Sequence, residues 1–236
     1  MNSYANPYVV AEAAPSARAE FIQKTYLHLA GAIGAFALFA ALLLQIPGVE
    51  RFAWSMTNGM MWLVVLGAFM AVSWIADRWA SSDTSRGMQY AGLGLYTLAQ
   101  AVIFLPLLLI ATKYVPQDSH VLGKAALITA LMVAGITATA FLTNKDFSFM
   151  RGFLMIGGFV AAGVIVASII FKFDLGIIFA GAMCLFASGS ILYTTSNIIH
   201  HYRTDQYVAA SLALFAGVAL LFWYVLRIVI AMSSND

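Results

Sequence analysis

The sequence predicts an all-α integral membrane protein, with seven transmembrane helices in one compact bundle. Two observations carry that prediction. Of 236 residues, 62% are hydrophobic and only 9% charged, whereas a soluble domain carries roughly a quarter charged residues to face water. The chain also falls into seven intervals free of Asp, Glu, Lys and Arg. Each is long enough to cross a hydrocarbon core about 30 Å thick as a helix rising about 1.5 Å per residue. Transmembrane β-strands would run about ten residues and alternate polar with apolar positions. These intervals are longer and apolar on every side.

Residues 1–20 form a polar N-terminal tail, with Asn2, Ser3, Pro7, Glu12, Pro15, Arg18 and Glu20 and no apolar core. They do not resemble a cleavable secretory signal, so the first hydrophobic helix serves as its own insertion signal. Residues 21–236 form the transmembrane domain. Its charge-free intervals are 25–49, 52–76, 87–112, 125–144, 152–171, 175–202 and 206–226. The links between them are short, which makes neighbouring helices antiparallel. Pro106, well inside the third interval, frees the carbonyl of Val102 and predicts a kink. Gly157/Ala161 and Gly176/Ala180 put small residues at the four-residue spacing that suits close helix approach in lipid. The sixth interval ends in Ser188-Gly189-Ser190 and Thr194-Thr195-Ser196-Asn197, the most polar stretch in any span. Those hydroxyls suit a water-accessible cavity and simple interhelical packing equally well.

The net charge of +2 is scattered with no basic run, which excludes nucleic acid as a partner. Counted on alternate sides, Lys and Arg number seven on the N-terminal side and five on the other. That asymmetry orients the N-terminus to the cytoplasm and the C-terminus to the far side. The single cysteine, Cys184, has no partner for a disulfide and reads as a small buried hydrophobe.

An ionisable group at bilayer depth usually marks function. No Asp, Glu, Lys or Arg lies mid-span, which excludes the relay chemistry of proton pumps and voltage sensors. His28, about a turn into the first helix, suits a hydrogen-bonded packing role better than a proton or metal site. His200 and His201, in the link before the last helix, are weak pH-sensing candidates. An intramembrane serine protease built on Ser188 lacks a general base, and an aspartyl protease lacks both carboxylates. The chain is therefore expected not to be an enzyme and to need no cofactor, and any metal ligand set stays unknown.

Several segments together resemble the Bax-inhibitor family, the transmembrane Bax-inhibitor-motif proteins. They are Phe21-Ile22-Gln23-Lys24-Thr25-Tyr26-Leu27, Tyr96-Thr97-Leu98 leading to Phe104-Leu105-Pro106, and Leu142-Thr143-Asn144-Lys145-Asp146-Phe147-Ser148-Phe149 before Gly152-Phe153-Leu154. Ile191 to Ile198 and Ala210-Ser211-Leu212-Ala213-Leu214 extend the resemblance through the last two spans. It implies seven helices with a central one wrapped by the others, and an association with pH-sensitive calcium leak. In leak-competent members two aspartates, one in the sixth span and one in the seventh, share a proton. An arginine after the second span helps hold the pore shut. Here those positions read Thr194 and Phe215, with Arg78 matching the arginine. Thr194 is expected to point inward near Arg78.

The resemblance thus implies a bacterial-type member lacking the two-aspartate pair, in a bacterial cytoplasmic membrane. The expected function is a weak or pH-insensitive leak for calcium or other small cations, involved in ion homeostasis. Its gate and pore candidates are Arg78, Thr194, Asn197 and Phe215. The alternative is a non-conducting regulator that binds other membrane proteins, such as a membrane-anchored protease.

Overall fold

The computed structural model describes residues 9–82, 85–116 and 120–233. Residues 1–8 of the expected tail lie outside the described residues, as do 234–236. The first helix, α1, spans Pro15–Leu44, so the expected boundary at residue 20 falls inside it. Pro15 starts the helix well because its fixed φ is already helical and its missing N–H is one that a helix start leaves unpaired.

The interval 52–76 differs most from expectation, because it is not one helix. A short α2, Val49–Met56, comes first and buries Val49, Ala53 and Met56 along one face. That face packs with Leu105 and Leu109, while Glu50 pairs with Lys113 at 3.0 Å. Gly59, at φ 54°, breaks the chain before α3, Met61–Ala80. The span therefore starts later than its lack of charge suggests, and it ends later too, taking in Asp77 and Arg78.

Helix α4, Arg86–Leu109, is capped by Ser85, whose hydroxyl accepts from the Met88 N–H. Pro106 lies inside it, and a π-helical turn at Ile110–Tyr114 follows. A wide turn next to a missing donor is how a helix absorbs a proline without losing its course. The remaining helices are α5 (Val121–Thr143), α6 (Met150–Phe171), α7 (Gly176–His200) and α8 (Tyr207–Ser233). His200 is thus the last residue of α7 rather than part of a link, and α8 carries Arg227 within its final turns.

Among the described residues, seven helices, all but α2, are long and apolar enough to cross a membrane. The central one is α8, which packs against α1, α3, α4, α5 and α7. Side-chain pairs sort the links into two ends. Val9 forms an isolated bridge with Arg203, the Val10 N–H donates to the Tyr202 carbonyl at 3.0 Å, and His201 meets Asp146 at 3.0 Å. Glu50–Lys113 and Asp174–Arg227 mark the opposite end.

Helices approach closely where glycine allows it. A Cβ built on Gly92 would lie 2.5 Å from the Ala76 carbonyl oxygen and 2.6 Å from the Ala80 nitrogen, so α3 and α4 touch backbone to backbone. Gly94, on the same helix, faces open space. We predict that Gly92→Ala lowers stability by about 1–3 kcal/mol through overpacking, whereas Gly94→Ala is neutral or slightly stabilising. Unfolding of the detergent-solubilised variants measures both.

Candidate functional site: a one-sided intramembrane cavity

Polar residues in α4 and α7 meet small residues in α8, and the result is a cavity of about 510 Å³. Ala213, Ala216 and Gly217 of α8 leave the space, and Trp62, Leu66 and Phe69 of α3 wall one side. Ile165 and Ile169 of α6 wall the other, and the mouth carries Asp174 and Arg227. Gly217 cannot be larger, since a Cβ there would sit 2.8 Å from the Ile191 Cγ1.

The cavity lining stops part-way along the bundle. Its floor holds Tyr96, Gln100 and Ser190. The Gln100 amide donates to the Tyr96 hydroxyl at 2.9 Å, and both side chains are buried. Ser190 precedes the end of α7 by ten residues, about 15 Å of helix. Tyr96 is backed by Phe215, which is 1% exposed and meets Tyr96 edge-on at 6.0 Å and Phe36 at 6.2 Å. Phe215, the seventh-span position that the resemblance singled out, is thus a buried aromatic ring packed behind Tyr96.

The other candidates are dispersed. Thr194 is buried one turn beyond Ser190. Arg78 is exposed and lies over the Trp74 ring at 5.5 Å, and no hydrogen bond or ion pair joins it to Thr194. A helix residue this close to the membrane surface turns its guanidinium outward rather than carry it inside. Asn197 acts through its backbone, its carbonyl accepting from the N–H groups of His201 at 2.7 Å and Tyr202 at 3.0 Å to close α7.

His28 is a packing residue. Its ring lies 5.5 Å from Tyr90 and 5.0 Å from Tyr207. Nδ1 faces the Lys24 carbonyl at 2.7 Å. A carbonyl only accepts, so Nδ1 donates there, and Nε2 lies 3.2 Å from the Tyr90 hydroxyl. His200 donates from Nδ1 to the Ser196 carbonyl at 3.0 Å. Among the described residues, no group of three His, Cys, Asp or Glu side chains is placed to hold a metal ion.

Gln100 is an isolated amide in the third span, outside the clustered polar stretch that marks the sixth, and that lone amide four residues after Tyr96 is the sequence signal of the floor. A second polar feature gathers hydroxyls from separate helices. Thr25, Thr97 and Thr129 donate to carbonyls four residues back, but Thr137 and Thr195 do not. Their hydroxyls lie beside that of Tyr26, so three helices bring three buried hydroxyl oxygens together.

The link between α5 and α6 is tied to the end of α7. Ser196 Oγ accepts from the Phe147 N–H at 2.8 Å and faces the Lys145 carbonyl at 3.3 Å. The Ser148 N–H, and then His201, hold the Asp146 carboxyl below its ordinary range. The Arg203 guanidinium does the same for Asp205. Burial, reinforced by Asp77 and Tyr193, pushes the Tyr202 hydroxyl up to about 12.

Seven apolar spans around a closed interior define a multi-pass membrane protein. The family described as Inhibitor of apoptosis-promoting Bax1 matches residues 18–235, and the chain belongs to this Bax-inhibitor family. Bax inhibitor 1 of Schizosaccharomyces pombe is 26% identical over 241 residues, covering 100% of this chain and 85% of the relative. An uncharacterized protein of Pseudomonas aeruginosa is 35% identical over 114 residues, 48% of this chain and 51% of the relative. The modulator of FtsH protease YccA of Escherichia coli is 35% identical over 109 residues, 46% of this chain and 49% of the relative. The chain thus spans about half the length of the two bacterial relatives.

Both carboxylates have depressed values, so they stabilise the fold above their ordinary value of 3.8 and lose that contribution as pH falls through the depressed one. We predict that melting temperature is unaffected by these groups from about pH 5 to 8 and drops below about pH 4. Asp146→Asn should flatten part of that acid limb in a thermal-melt series.

Proposed function

We propose that this protein is a low-conductance leak for calcium or other small cations, held closed in this conformation and serving ion homeostasis without catalysing a reaction. The observation that most supports the reading is the cavity that enters from one end and stops at a neutral polar floor. A cation entering past Asp174, which offsets Arg227 at the mouth, would meet the oxygens of Gln100, Tyr96 and Ser190. Neutral oxygens coordinate Ca²⁺, but without a carboxylate they hold it weakly and let it leave. Phe215 closes the route behind the floor. The setting is a bacterial cytoplasmic membrane, with the N-terminus cytoplasmic and, after seven crossings, the C-terminus on the far side.

The likeness to the Escherichia coli modulator of FtsH protease favours a second reading, a non-conducting regulator that contacts a membrane-anchored protease. Co-reconstitution with such a protease tests it. A changed degradation rate of a membrane substrate, without ion flux, would favour regulation over leak.

Flux into liposomes holding the purified protein tests the first reading. Phe215→Ala should raise the leak severalfold while costing about 3–5 kcal/mol of stability, as expected for a buried Phe truncation. The leak should also vary little between about pH 6 and 8, because no shared-proton carboxylate pair titrates there. A steep pH response surviving replacement of His28, His200 and His201 would overturn that expectation. Absence of flux in Phe215→Ala would remove the leak reading itself.

A further inference from the structure

The walls of the cavity are largely apolar, and two of them are helices that face away from the bundle. It lies between α3 and α6, the two spans that bury least of themselves in the bundle. A gap between two lipid-facing helices admits a lipid chain more readily than it retains water.

The rim supplies charge. A second hollow of about 310 Å³ adjoins the first and shares Trp62, Ser168, Ile169 and Phe173 with it. Lys172 lines the second hollow and Arg227 the first, so each of the two adjoining hollows carries one cation. The acid nearby is Asp174, which accepts from the Gly176 N–H at 3.1 Å and so caps the start of α7. It approaches Arg227 only at 4.0 Å, beyond hydrogen-bond range. Among the described residues Asp174 is the acid paired with the guanidinium fork, and the pair is long enough to leave room for a further acceptor.

We propose that this groove binds one anionic phospholipid, an acyl chain lying against Leu66, Ile169 and Leu220 and the phosphate held between Arg227 and Lys172. Arginine matches phosphate oxygens through paired N–H donors, chemistry that acts on an anionic headgroup in either leaflet; with a cytoplasmic N-terminus this groove faces the far one. A neutral zwitterionic lipid fills the groove equally well but brings its own cation to the rim. The inference stands apart from ion conduction, because a lipid binds whether or not ions pass. If the leak reading holds, the bound chain occupies the vestibule and opposes flux.

Native mass spectrometry of the full chain, released from bilayers of equal phosphatidylglycerol and phosphatidylcholine, tests the site. The expected result is one retained phosphatidylglycerol, preferred by on the order of tenfold for two basic contacts. Arg227→Gln with Lys172→Gln should bring the two lipids near parity. Ser168→Phe, which fills the groove, should lower retention of both. Parity in the unaltered protein, or an undiminished preference in the Arg227→Gln/Lys172→Gln variant, overturns the proposal. If Ser168→Phe fails to fold, the charge-removal variant, placed at the rim, decides alone.

Discussion

Close packing of small residues is what this bundle depends on. In hydrocarbon no hydrophobic force drives one helix against another, because lipid tails are as apolar as leucine. Contact must come from shape. Gly92 lets α4 lie directly on the α3 backbone, and Gly217 receives Ile191 of α7. These two seams attach α3 to α4 and α7 to α8, and the central position of α8 follows from the second. Where small residues of α8 have no large partner opposite, at Ala213 and Ala216, the same geometry leaves the cavity.

Polar groups are then placed where helix geometry can satisfy them. Threonines at Thr25, Thr97 and Thr129 return their hydroxyls to their own helix, so a polar side chain in a span costs little. Gln100 has no such local acceptor and pairs instead with Tyr96. That pair puts hydrogen-bonding atoms at mid-bilayer without charge, which separates this interior from one built on paired carboxylates. Phe215 adds to that apolar character, its ring packed edge-on against Tyr96 and Phe36.

The fold was largely legible in the sequence because membrane insertion acts on length and charge, both of which can be read directly. The seven spans follow from the charge-free intervals, and errors occur where another principle takes over. Gly59 and the buried face of α2 divide the second interval, an effect of turn chemistry and amphipathicity that absence of charge does not register. Asp77, Arg78 and Arg227 extend spans beyond the intervals because helix ends near the interface tolerate charge. The site was less legible, since the family positions Thr194, Phe215 and Arg78 identify loci but not contacts. Arg78 turns outward to Trp74. The cavity arises from what is missing on α8, and only packing reveals a missing side chain.

The N-terminal contact has a consequence for how the chain is made. Val10 is fully buried, and its N–H donates to the carbonyl of Tyr202, a residue synthesised nearly a whole chain later. Synthesis delivers the two ends of this contact at very different times. The approach to α1 therefore stays unanchored at the membrane surface until α7 has been threaded and its last turn closed by Asn197. That bond dates from the end of α7: a chain arrested after any earlier helix lacks the Tyr202 carbonyl to which Val10 donates.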